Sequence, residues 1–141
     1  MIASTVKNTL LVAGTYYLSL WIAPPFSFLF GKLMTERIHF EGDFAAAVLL
    51  PLVVNLPIAL VAAWAGATIA FLVESKRPIL WALLPAALHA GFSYFGHEWM
   101  RPPTLSDRGA QIIGALFPAA SCIVGAIVGV RQRRYMVAGA S

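Results

Sequence analysis

Few residues of this chain have side chains suited to chemistry, and the most unusual of them is a histidine inside an apolar run. His89 lies in such a run, and Ser93 follows it one helical turn later. Ionisable groups inside a membrane-spanning segment are costly, and they often mark a proton, ion or substrate pathway. Asn55 lies in another apolar run, two residues before Pro57, where a broken helix would expose backbone groups to a ligand. Asn55, His89 and Ser93 are therefore predicted to line a substrate or ion pathway.

A structural role for the same three residues is the alternative. A neutral histidine can bond a backbone carbonyl or the Ser93 hydroxyl, and Asn55 can satisfy a carbonyl that the Pro57 kink leaves free. The two hypotheses differ in what His89→Gln does, because glutamine keeps the hydrogen-bonding capacity of the ring but does not titrate.

A second group of histidines and carboxylates lies in the polar segments between apolar runs. His39, Glu41 and Asp43 alternate in one segment and share a face if it is extended, while His97 and Glu98 end the third apolar run. Imidazole and carboxylate ligands together suit zinc and other divalent cations. No short-spacing signature joins these residues, and solvated loops with salt bridges are the alternative. The sequence predicts a metal site or a polar cluster here, without committing to a metal.

No motif in the sequence defines a reaction. It contains no Gly-rich phosphate loop, no C-x-x-C pair and no G-x-S-x-G elbow. Cys122 is the single cysteine and lies inside an apolar run, as a small buried hydrophobic residue would. We therefore predict no cofactor and no catalytic residue, and the sequence disfavours an enzyme.

The composition indicates which elements hold these residues. Of 141 residues, 60% are hydrophobic and 11% are charged, against roughly 25% charged in soluble domains. Crossing a bilayer takes a helix of about 20 apolar residues, and four stretches of that length or more contain no Asp, Glu, Lys or Arg. We predict an all-α integral membrane protein, a bundle of four transmembrane helices in a single domain. The predicted spans are 8–31, 51–73, 79–98 and 109–130, with outer loops 32–50 and 99–108, inner loop 74–78 and a basic tail 131–141.

Lysine and arginine predict the orientation of the helices. With four spans, both termini and the 74–78 loop share one side, which holds six of the ten Lys and Arg residues. Cytoplasmic loops carry the excess of these residues, so both termini are predicted to be cytoplasmic, in a bacterial inner membrane or an equivalent one. The net charge of +4 is assigned to contacts with lipid headgroups, and no nucleic-acid partner is predicted.

Small residues recur along the predicted spans at a spacing that suits helix packing. Membrane helices associate through close packing at such residues, because lipid tails are as apolar as leucine. We expect them to pack helices within one bundle or between identical subunits. The predicted packing positions are Ala63 and Gly66 in the second span and Gly114, Ser121, Gly125 and Gly129 in the fourth.

The two halves of the chain share a weak pattern. An aromatic stretch with a serine precedes Gly31 and Gly96, and a proline-containing span follows each, with Pro51 and Pro118 at similar distances. One hypothesis is an internal duplication into two parallel helical hairpins. The other is chance recurrence of aromatic residues and glycine at membrane interfaces.

Three functions are compatible with these features. The favoured one is a non-catalytic multi-pass membrane protein that acts through helix packing, as a self-assembling protein or a small subunit of a membrane complex. The alternative is a small homo-oligomeric transporter or channel that uses proline-broken helices with Asn55 and His89. The third is a membrane-embedded, lipid-acting enzyme that uses the outer His and carboxylate cluster.

Overall fold

The computed structural model describes residues 2–37, 48–98 and 105–139, and its regular structure is helical. Three of the helices in this described part of the chain are long and apolar enough to cross a membrane. The predicted all-α class is thereby confirmed, together with the presence of membrane-capable helices. The helices are α1 (Ile2–Arg37), α2 (Leu50–Leu72), α3 (Pro78–Glu98) and α4 (Leu105–Gly139), and the membrane-capable ones are α2, α3 and α4.

The first helix differs from the other three in composition. At 36 residues α1 is long enough to cross a bilayer, but it is not one of the three membrane-capable helices. Its aliphatic residues are interrupted by Tyr16, Tyr17, Pro24 and Pro25, which lower its hydropathy. The predicted span at 8–31 therefore stays a prediction.

Each of the four helices contains at least one proline. Pro57, Pro85 and Pro118 lie inside α2, α3 and α4, whereas Pro51 falls in the first turn of α2, where the missing N–H has no helical acceptor to lose. At the other end of the chain, α4 continues to Gly139, so the basic segment after Val130 is helical. The hypothesis of two duplicated hairpins stays a prediction.

Helices α2 and α4 form the most extensive helix pair, and glycine brings their backbones together. A methyl group at Gly125 would overlap the carbonyl oxygen of Ala63 and lie 2.8 Å from its Cα. At Gly66 it would overlap the Cys122 carbonyl oxygen and lie 2.8 Å from its carbonyl carbon. The three glycine–backbone pairs of this α2–α4 seam are Gly66 with Cys122, Gly125 with Ala63, and Gly129 with Ala67.

The buried core is built mainly from small side chains. Ile69, Val73 and Pro118 are the largest fully buried ones, and alanines fill most of the remaining core positions, which allows the close helix approach. Large apolar residues lie on the outside, as with Leu10 and Phe28, which are 68% and 76% exposed. The core cluster comprises Val12, Ile69, Ala70, Val73, Ala82, Ala86, Ala119, Cys122 and Ala126.

The C-terminal end of α2 is held by side chains from α1 and α4. Asn8 is 3% exposed; its amide donates to the Glu74 carbonyl at 3.2 Å and accepts the Glu74 N–H at 3.2 Å. Lys7 forms an ion pair with the Glu74 carboxylate at 2.6 Å, and Arg133 donates to the Val73 carbonyl at 2.7 Å. These cations and donors meet the unpaired carbonyls and partial negative charge of a helix end. We call these five residues the Glu74 network; it brings the start of α1, the α2–α3 turn and the end of α4 to one end of the bundle.

The Glu74 network also sets the protonation of its carboxylate. The hydrogen bond and the charge of Lys7 hold the pKa of Glu74 below its ordinary value of 4.5, with a small further contribution from the charge of Arg133. The Glu74 carboxylate is therefore charged at neutral pH.

Candidate functional site

Two of the polar residues predicted to line a pathway, Asn55 and His89, lie beside Gly114 of α4. The amide nitrogen and oxygen of Asn55, on α2, would each lie 3.8 Å from a methyl group at Gly114, on α4. The ring of His89, on α3, lies near the Gly114 backbone, and Ser93 Oγ lies 3.3 Å from His89 Nε2. We call Asn55, His89 and Ser93 the polar cluster; a methyl group at Gly114 would lie no closer than 3.8 Å to any of their side-chain atoms.

The bonds within this polar cluster are largely local. Asn55 Nδ2 donates to the Pro51 carbonyl at 2.8 Å, one turn earlier in α2. The carbonyl that Pro57 leaves without its helical donor belongs to Val53, four residues before the proline. The carbonyl that Pro57 leaves free and the carbonyl that Asn55 bonds therefore belong to different residues, unlike the pairing expected from the sequence.

His89 lies between an internal cavity and an open cleft. The cavity, of about 40 Å³, is lined from all four helices and includes Tyr16, Ser19 and Cys122 beside His89. Such a volume holds about one or two water molecules. Cys122 lines this cavity from α4, and its thiol donates to the Ala82 carbonyl of α3 at 3.7 Å.

The open cleft, which we call the His89 cleft, lies between α1, α2 and α3 and has a volume of about 660 Å³. Leu20, Phe28 and Ile58 contribute to its apolar walls, and Ser27 and Lys32 also line it. The Ser27 hydroxyl donates to a carbonyl of α2, that of Val54, at 3.4 Å. Such a cleft accepts apolar groups along most of its length.

A second apolar cleft, the Trp64 cleft, lies between α1 and α2 and has a volume of about 390 Å³. Phe26, Phe30, Leu60 and Trp64 are among its lining residues, and it shares none of them with the His89 cleft. Helix α1 packs on α2 and slightly on α3, and among the described residues no Cα atom of α1 comes within 8 Å of a Cα atom of α4.

The predicted packing residues occupy two environments. Ala63, Gly66, Gly125 and Gly129 lie in the α2–α4 seam and Gly114 faces Asn55. Ser121 donates its hydroxyl to the Phe117 carbonyl of its own helix at 2.9 Å. Gly125 and Gly129 of α4 thus contact the backbone of α2 within the chain, and the choice between packing in one bundle and between subunits stays a prediction.

The predicted outer cluster falls largely beyond the described residues. His39, Glu41 and Asp43 lie outside them, and only the backbone of His97 and Glu98 is described, at the end of α3. Within the described ranges no three His, Cys, Asp or Glu residues come together to hold a metal ion. The outer cluster stays a prediction.

Sequence reasoning missed two buried polar residues that join helices. Gln111 is 7% exposed and its amide donates to the Tyr94 carbonyl of α3 at 2.9 Å; Asn8 holds the backbone of Glu74. The available signal was an amide side chain in an otherwise apolar run, since such a group needs a partner away from water.

Comparison with protein-family models, with curated proteins and with solved structures gives no match for this chain. The function must therefore be inferred from the arrangement of its own residues.

Proposed function

We propose that this chain is a non-catalytic membrane protein that acts by packing its helices against a membrane partner, either a second copy or another subunit. The observation that carries this proposal is the contrast between a closed α2–α4 seam and an α1 helix flanked by two apolar clefts. Packing between membrane helices needs surfaces that are complementary in shape, because apolar character alone does not make a helix prefer another helix over lipid. The two clefts beside α1 provide such surfaces.

The polar interior supports the same proposal. Asn55 and Gln111 donate to carbonyls of the same chain, and His89 lies within hydrogen-bonding distance of Ser93. Among the described residues, every fully buried side-chain nitrogen and oxygen atom has a hydrogen-bond partner. Groups satisfied in this way fix helix positions.

Cysteine cross-linking tests the partner surface. In a Cys122→Ala background, Phe28→Cys in the His89 cleft and Phe26→Cys in the Trp64 cleft are expected to cross-link to the partner in native membranes. Val124→Cys is the matched control, since Val124 is also well exposed, at 59%, but lies on α4 and lines neither cleft. A band at twice the chain mass identifies a second copy. Equal cross-linking from all three positions, or none from the cleft positions, would contradict the proposal.

We propose further that α1 is a fourth span and that both termini are cytoplasmic. The Glu74 network supports an even number of crossings, because it joins the starts and ends of helices at one end of the bundle, and the Lys and Arg excess supports the orientation. Impermeant thiol reagents should label Thr35→Cys and Ser106→Cys in intact cells but not Ser75→Cys. The reverse labelling pattern would refute the orientation.

A small transporter or channel is the second candidate, favoured by the placement of His89 between the internal cavity and the His89 cleft. His89→Gln separates the two functions. In the packing function this substitution leaves assembly and stability nearly unchanged, whereas His89→Leu loses the bond to Ser93. Loss of a pH-dependent transport activity in stable His89→Gln protein would favour the transporter.

A further inference from the structure

A groove at the Glu74 end of the bundle combines positive charge with apolar walls. It has a volume of about 500 Å³ and lies between the α2–α3 turn and the last turns of α4. Lys76, Arg133 and Arg134 line it together with Pro78 and Val130. Of the described residues along its walls, three are cations and none is an acid.

The positive charge of this basic groove is not cancelled by the nearest carboxylate. Glu74 is the acid of the α2–α3 turn, and its carboxylate is paired with Lys7 at 2.6 Å. Arg133 uses one N–H for the Val73 carbonyl, and a guanidinium has five N–H donors. Lys76 and Arg134 are exposed, so their charges face the groove and the solvent.

The depth of the basic groove matches that of lipid headgroups. The membrane-capable segment of α2 ends at Leu72 and that of α3 begins at Pro78, so the turn between them lies where the hydrocarbon ends. From Val130 to Gly139, α4 extends about 14 Å further at 1.5 Å per residue. Arg133 and Arg134 lie three and four residues past Val130, about 5–6 Å along the helix axis, which is the depth of a headgroup layer of about 5–8 Å.

We propose that the basic groove binds the headgroup of an anionic phospholipid. Lys76, Arg133 and Arg134 contact the phosphate, and Val130 and Pro78 contact the start of the acyl chains. A free anion would use the cations but not the apolar walls, which is why the structure favours a lipid. The proposal is independent of the partner surfaces beside α1.

The test is native mass spectrometry of the delipidated full chain, titrated with phosphatidylglycerol, phosphatidylcholine or inorganic phosphate. We expect phosphatidylglycerol to bind in preference to phosphatidylcholine. Each cation near the membrane surface contributes about 1 kcal/mol, or about fivefold in affinity. The double variant Lys76→Gln/Arg134→Gln should therefore bind phosphatidylglycerol roughly 25-fold more weakly.

The matched control is Arg77→Gln/Arg131→Gln. This variant removes two cations that lie near the basic groove in the sequence but do not line it. This control should lose much less affinity for phosphatidylglycerol. Equal losses in the two double variants would show a diffuse charge effect and overturn the proposal. Binding of inorganic phosphate without retention of phosphatidylglycerol would also overturn it.

Discussion

Gly125→Ala is the substitution whose effect follows most directly from the structure. The added methyl group would overlap the Ala63 carbonyl oxygen and lie 2.6 Å from its carbonyl carbon. Because the atoms it meets belong to the backbone of α2, no side-chain rotation relieves the overlap, and the two helices must separate along the seam.

The magnitude follows from two opposing contributions. Overpacking a tight interior costs about 1–3 kcal/mol, while alanine favours the helix over glycine by up to about 1 kcal/mol. The free energy of unfolding is therefore expected to fall by roughly 1–2 kcal/mol. Gly125→Leu should lose more, since a longer side chain forces a wider separation.

The control is Gly91→Ala in α3, because a methyl group at Gly91 has no atom within 4 Å. It should leave stability unchanged or raise it by up to about 1 kcal/mol. Unfolding by SDS titration in mixed micelles, followed by the fluorescence of the four tryptophans, measures both variants. Equal stability of Gly125→Ala and Gly91→Ala would refute the close α2–α4 packing.

Three further predictions concern the polar contacts between helices. Asn8→Leu should cost about 1–3 kcal/mol, because it leaves the backbone N–H and C=O of Glu74 unpaired, whereas the neighbouring Thr9→Val should cost little; SDS titration distinguishes them. Gln111→Leu should cost about 1 kcal/mol, and Gln132→Leu, on the exposed end of the same helix, nearly nothing in the same assay. Because the folded-state pKa of Glu74 lies below its ordinary value of 4.5, the stability from its ion pair is present above that pH and lost as the pH falls through the folded-state pKa. The SDS midpoint of Glu74→Gln should accordingly vary less with acidification than that of the wild type, and identical pH profiles would exclude this contribution.

The sequence predicts the local features of this fold well. Three of the four charge-free runs fall in the membrane-capable helices α2, α3 and α4, because the bilayer imposes both their length and their composition. Four-residue spacing finds Gly125 and Gly129 because residues at that spacing share a helix face. The same spacing cannot tell that Gly114 faces Asn55 and not a backbone, since this depends on how the helices cross.

Contacts between distant parts of the chain could not be predicted. Asn8 and Glu74 are 66 residues apart, and the sequence does not show which residue the Asn8 amide bonds. Helices α1 and α4 continue past the charge-free runs at 8–31 and 109–130, because polar residues such as Arg133 end an apolar run without ending a helix. To predict that Asn55 and His89 both lie beside Gly114, one would need to know the relative positions of three helices.

The most direct measurement of the central proposal is the mass of the protein extracted in a mild, native-like detergent. The chain alone has a mass of 15.2 kDa. A packing protein is expected at a multiple of that mass, or in a fixed ratio with another membrane subunit, and Phe28→Cys should then cross-link within the same assembly. A homogeneous protein of 15.2 kDa with no protein partner, extracted from its own membrane, would contradict the proposal.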